Sequence, residues 1–235
     1  MLINGTPVNR YGAKQLTVDF TPSTQQLTYE WNAGALLPIM VDKRTTFKQA
    51  TIVLKVTGES RQDVNRNISR LHNLAAGETN YKLDGYDGWI FTGVLQEVPT
   101  VKKTIDPKIY KMTLKANGYM RDEKEQVIEI DRLQSEYIFA EGTRDAPVKM
   151  EITPDFDLKE FAIYGIAERG IVIKNLTKGS TIYIDGMTGL VTEKGKNKFN
   201  DVIMFEFPHL QAGKQLITFS ESVCKVKISY YPMWL

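Results

Sequence analysis

From residue 145 onward the 235-residue chain shows no helical period, only short apolar-polar alternations cut by turn residues. APVKMEITP, EFAIYGI, GIVIKNL, STIYIDG, GLVTEKG, DVIMFEFP, QLITFSES and CKVKISYY follow one another at roughly ten-residue spacing, the pattern of a β-sandwich or jelly roll. Alternation with period two leaves each segment one face to bury, so strands of this kind must pack as layers against one another.

The first half reads differently. LINGTPV carries Asn4-Gly5 between β-prone residues, a two-residue hairpin signal, because a type I′ turn needs positive φ at both positions. AKQLTVDFTP sets Leu16, Val18 and Phe20 against Gln15, Thr17 and Asp19, which predicts a half-buried strand stopped by Pro22. QLTYEW alternates too. Across residues 32–48 the pattern lapses into NAGALLPIMVDKRTTFK, which predicts a long loop or projecting hairpin. Exposed apolar residues on such an arm are natural in an assembly and hard to explain in a monomer.

QATIVLKVTG is a strand ending at Gly58, after which the period changes to helical. Ser60 can cap, Asp63 follows three residues on, and Val64, Ile68, Leu71 and Ala75 recur along one stripe up to Gly77, with Arg61, Arg66, Asn67 and Arg70 on the outer face. NYKLDGYDGWIFTGVLQEVPTVKK and DPKIYKMTLKANGYMRD then predict antiparallel strands, since their connections are too short for parallel crossovers. The fold class is therefore mainly β: an N-terminal α+β domain over residues 1–134 and an all-β domain over 135–235. DRLQSEYIFAEGTRD reads as the linker, and RDEKEQ at 121–126 as a solvated turn.

Composition limits the function. A hydrophobic fraction of 42% and a charged fraction of 25% are ordinary for a globular protein. No run approaches the roughly 18 apolar residues of a membrane span, and the start lacks a basic leader, so synthesis and first folding are expected in a cytoplasm. The net charge is +2, with 18 basic against 15 acidic residues up to position 134 and 12 against 13 after it. That balance excludes a tight nucleic-acid binder but not a protein through which nucleic acid passes ungripped. Cys224 has no disulfide partner in the chain and reads as a buried strand residue.

An enzyme is not expected. His72 and His209 lack companions at metal-ligand spacing, no Ser lies in a G-x-S-x-G elbow, and no Gly-rich loop opens a helix, so no catalytic, cofactor or metal residue is predicted. Asp84, Asp87 and Asp185 each precede Gly, which is hairpin-turn chemistry. Trp89 reads as core. Trp31 and Trp234, with Tyr230 and Tyr231, could serve a core, a subunit interface or a sugar-stacking platform. The last residues, KISYYPMWL, alternate as a final strand ended by Pro232, and their aromatics need cover.

FEFPHLQAGKQLITFSESVCKVKISYYPMWL resembles the ending of siphophage distal tail proteins in its Phe207-Pro208, Leu210, Gly213 and Ile217 and its closing Tyr231-Pro232 with Trp234. Residues 175–202, with Ile184-Asp185-Gly186, resemble the preceding hairpins of that family. Gln215 stands where the family often has Asn, and a glycine-rich motif often found near the family's start is not evident.

The resemblance implies a ring-forming N-terminal domain with a sheet, one packed helix and a projecting hairpin, followed by a galectin-like β-sandwich. It implies a virion structural protein at the tail tip: a baseplate hub subunit of phage or prophage, made in the host bacterial cytoplasm. Such subunits form a homo-oligomer, a hexameric ring that continues the tail tube and passes DNA through its lumen without specific binding. Its partners would be other tail proteins, such as the tail tube, a hub or lysin protein, and fibre or receptor-binding proteins, with no membrane and no cofactor. Candidate assembly contacts are Trp31, Leu36, Leu37, Ile39, Met40, Tyr231 and Trp234. The alternative is a carbohydrate-binding module recognising host cell-surface polysaccharide.

Overall fold

The computed structural model describes the backbone of residues 1–235 and every side chain except that of Lys43. It divides into two compact units, Met1–Arg121 with Leu235 and Asp122–Trp234. Each unit has its own apolar core, and the chain is mainly β.

In the first unit the strands order as Thr6–Pro7, Leu2–Ile3, Glu78–Lys82, Trp89–Leu95, Ile109–Asp122, Lys48–Thr57 and Ala13–Thr21, with Thr100–Lys103 also paired to Ile109–Asp122. The opening turn is as expected: Asn4 and Gly5 take φ of 48° and 75° between Leu2–Ile3 and Thr6–Pro7. Alternation along Lys48–Thr57 buries Ala50, Ile52, Leu54 and Val56 completely, and Tyr110, Met112, Leu114 and Ala116 continue this face on the antiparallel neighbour. The helix Arg61–Leu74 begins at Ser60, whose Oγ accepts from the Asp63 amide at 3.2 Å and donates to the Asp63 carboxylate at 2.8 Å. It buries Val64, Leu71 and, just past its end, Ala75.

Two details differ from the periodic expectation. A β-bulge between Gln15 and Thr17 turns Leu16 outward, because an extra residue shifts the alternation on the bulged strand. Asn67 is half-buried, its side-chain amide donating to the Thr57 carbonyl at 3.1 Å.

The second unit holds two sheets. One runs Gln126–Asp131, Cys224–Tyr230, Ala146–Pro154, Ile182–Asp185, Val191–Glu193, Lys196–Asn197; the other runs Ser135–Ala140, Gly213–Phe219, Leu158–Tyr164, Ile171–Leu176, Val202–Met204. The eight expected segments all contain strands. Two more come from the stretch placed before or within the linker. Gln126–Asp131 pairs along the whole of Cys224–Tyr230, and Ser135–Ala140 pairs along Gly213–Phe219, so the compact units divide at 121/122 where the sequence suggests 134/135. Polar composition misleads there because both are edge strands of their sheets, where outward side chains meet water. Cys224 is buried, and burial first, then the charges of Asp155 and Glu221, pushes its thiol up to about 12, far from reactive.

One buried ion pair pins the Lys196–Asn197 corner. Lys198 is only 8% exposed, and its ammonium donates to Glu193 Oε2 at 2.8 Å and the Asn175 carbonyl at 2.9 Å, with Asp201 at 3.4 Å. Burial by itself would raise the Glu193 carboxyl and lower the Lys198 ammonium. The mutual attraction outweighs it, so Glu193 sits below and Lys198 above its ordinary range.

Residues 231–234 close the second unit and are held by hydrogen bonds. The Trp234 indole donates to the Asp122 carboxylate at 2.9 Å, the Asp122 amide to the Pro232 carbonyl at 3.0 Å, and the Thr143 amide to the Met233 carbonyl at 2.8 Å. Pro232 and Met233 are buried. Gly142, at φ +123°, lies so close that a Cβ would stand 2.6 Å from the Met233 carbonyl oxygen.

Deleting residues 231–235 removes this clasp and should cost at least about 2 kcal/mol, seen as a lower melting temperature; an unchanged melting curve would show the clasp to be idle. Lys198→Met leaves Glu193 buried without its partner and should cost about 2 kcal/mol at pH 7, less than a fully buried pair because Glu193 is partly exposed. Glu193 has a depressed pKa, so its stabilisation is present above the unfolded carboxylate value and lost as pH falls through the folded one. The deficit of the variant should therefore shrink in urea titrations below about pH 4.

Candidate assembly surface

The arm predicted around residues 32–48 is a two-stranded ribbon, Gln25–Glu30 against Ile39–Thr45, that pairs only with itself. Its root is fastened by two threonines. The Thr24 amide donates to Thr46 Oγ1 at 2.8 Å, and the Thr46 amide and hydroxyl reach the Thr24 carbonyl at 2.9 and 3.1 Å. Its tip turns at Gly34, φ +88°, with the Ala35 amide on the Asn32 carbonyl at 3.0 Å.

All six residues of Gln25–Glu30 are exposed. Alternation puts Leu27 and Tyr29 on one face with Met40 directly across from Tyr29. The other face carries Gln26, Thr28 and Glu30 opposite Arg44, Asp42 and Ile39. Arg44 pairs with Asp42 at 2.8 Å on that polar side. A register shift leaves Val41 as the extra residue. Exposure rises toward the tip: Trp31 is 67% exposed, Leu37 77% and Leu36 95%. An isolated ribbon of two strands is marginal in water, and a contiguous apolar strip along one is the mark of a surface that another chain covers.

Five of the seven candidate contacts, Trp31, Leu36, Leu37, Ile39 and Met40, lie together on this ribbon and are open to solvent. Tyr231 and Trp234 belong to the second unit, where both are half-buried and Trp234 is engaged with Asp122. Leu27, Tyr29 and Val41 belong to the ribbon and were not among the candidates, although the alternation of QLTYEW carried the first two. A second apolar surface lies on the outer face of the Ser135–Ala140 sheet, where exposed Tyr137 stands opposite Leu216 and exposed Phe139 opposite Lys214. It escapes notice in the sequence because those residues sit in the presumed linker.

No group of three or more His, Cys, Asp or Glu side chains is placed to hold a metal ion among the described residues. His209 Nδ1 lies 3.1 Å from the Phe207 carbonyl, a turn contact. Asp185 accepts from the Met187 amide at 2.8 Å within its turn, as an Asp-Gly hairpin residue does. Among the described residues no helix is long and apolar enough to cross a membrane. What the ribbon displays is exposed apolar surface.

No curated protein matches the chain in sequence. Residues 141–234 match the family model described as Siphovirus-type tail component, C-terminal domain. Among solved structures, the Dit (gp 19.1) protein of phage SPP1, described as a paradigm of hub adsorption apparatus in Gram-positive infecting phages, aligns over 100% of this chain and 98% of its own with TM-score 0.76 and 11% identity. A chain of the phage p2 baseplate in its activated conformation with Sr aligns over 94% of this chain and 91% of its own with TM-score 0.50 and 13% identity. Residues 141–234 are thus similar to siphovirus-type tail component C-terminal domains, and the whole chain shares the fold of the SPP1 hub protein.

Proposed function

We propose that this protein is a structural hub subunit of a phage tail tip, working by assembly. The ribbon Gln25–Thr45 reaches a neighbouring copy, and the repeated heterologous contact closes a hexameric ring that continues the tail tube and passes DNA. The second unit would present docking surface to baseplate, fibre or receptor-binding proteins, with the Tyr137 and Phe139 face as its apolar part. The observation that carries this is the ribbon itself: an apolar strip on a two-stranded arm that pairs with no other strand among the described residues and is fastened at its root by Thr24 and Thr46. The fold shared with the SPP1 hub protein supports it.

Magnitudes favour a closed ring over a simple pair. Burying four of the ribbon's large apolar side chains contributes about 6–12 kcal/mol. Association costs about 4–15 kcal/mol in lost freedom, so one such contact is marginal. Ring closure gives every subunit two contacts and removes free ends.

The triple variant Trp31→Ser, Leu36→Ser, Leu37→Ser should abolish the ring in negative-stain images and shift mass photometry to monomer. Its melting temperature should stay within the equivalent of about 0.5 kcal/mol of the monomeric parent, because these side chains are mostly exposed in the subunit. A variant that still assembles like the parent, or a parent that stays monomeric at all concentrations with tail components present, would refute the proposal.

A further inference from the structure

On the sheet of the first unit, register brings four lysines into one row. Lys14 lies directly opposite Lys55, Lys55 opposite Lys111, and Lys111 opposite Lys102, on four adjacent strands. Leu54 and Val56 flank Lys55 and point into the core, so alternation turns the row to the opposite, open face. Lys14, Lys102 and Lys111 are exposed and Lys55, central in the sheet, is half-exposed.

Like charges directly opposite one another destabilise a sheet, and carboxylates normally interleave them. None does here. The next row holds Thr17, Val53, Thr113 and Thr100. The acids of the row beyond are Asp19, opposite Thr51, and Glu97, which is taken up by Lys115 at 2.9 Å. The ammonium groups of the row itself have no ion-pair partner among the described residues.

We infer that this row is a contact surface for the phosphate backbone of double-stranded nucleic acid. Three inter-strand steps span about 14 Å. Duplex carries one negative charge per about 1.7 Å of axis, so that length holds about eight phosphates, about four of them on the near side. Four fixed ammonium groups with a neighbouring row of threonine hydroxyls suit that charge density. Nothing in the row reads bases, so the contact is independent of sequence and weak, in keeping with the near-neutral chain. A polyanion sliding over it meets the same surface at every register. The inference concerns the single subunit and does not require the ring.

Anisotropy of a labelled mixed-sequence duplex, titrated with the full chain between about 50 and about 200 mM salt, tests it. The parent should bind with a steep salt dependence. The variant K14Q/K55Q/K102Q/K111Q should lose at least about tenfold in affinity at the lower salt, and its slope of log K against log salt should flatten by about 0.9 for each phosphate contact removed. R61Q/R70Q/K174Q/K196Q removes the same charge from exposed positions elsewhere and should retain parental binding. The row variant should melt no lower than the parent, since it relieves repulsion.

Parent binding that is absent, or that both variants retain or lose equally, overturns the inference. So does preference for a poly(glycerol phosphate) chain over duplex, or a row variant whose only change is loss of self-assembly, which would make the row a subunit contact. A failure of duplex binding with rings intact leaves the proposed hub role standing, and the Trp31, Leu36, Leu37 variant should bind duplex whether or not it assembles.

Discussion

Antiparallel register is the constraint on which the rest of the structure depends. Because successive side chains on a strand point to opposite faces, a slip of one residue would carry a whole apolar set from core to water. In the first unit, pairing Ala50 with Ala116 and Val56 with Tyr110 keeps ten consecutive residues of each strand in phase, and the helix then closes the apolar face. The same phase decides what the opposite face displays. Lys55 is outward only because Leu54 and Val56 are inward. One alternation thus builds both a core and a charged surface.

Close approach of the strands imposes a second requirement, met by glycine. A Cβ on Gly118 would overlap the carbonyl of Thr92 and the backbone of Gly93 on the neighbouring strand. The two glycines let the long strand Ile109–Asp122 cross close to Trp89–Leu95. In the second unit Gly142 does the same for the clasp at Met233. Neither position is a loop in the ordinary sense; each is a place where backbone meets backbone and a side chain has no room.

The ribbon Gln25–Thr45 shows what happens when alternation has no core to serve. Its strands pair with each other alone, and Leu27, Tyr29 and Met40 face solvent together. Conformational order in such an element is maintained at its root by Thr24 and Thr46 and otherwise depends on what covers it. The local pattern is an amphipathic strand pair outside the larger sheets, with its apolar side open to water.

Much of this was legible in the chain. Asn4-Gly5, the Ser60 cap, the single helical period and the eight later strands are local signals, written in residues next to one another, and the structure contains each of them. Local pattern also marked residues 32–48 as an arm and named five of its apolar side chains. It did not see Gln126–Asp131 and Ser135–Ala140 as strands, because edge strands are polar enough to pass for linker. It did not see that Leu16 sits at a bulge, that Trp234 bonds Asp122, or that Lys14, Lys55, Lys102 and Lys111 form one row. Those depend on which strands lie side by side and in what register, a matter of pairing between residues up to 112 positions apart. A sequence determines period and propensity along itself; only the tertiary structure brings distant strands into contact and so decides which side chains become neighbours.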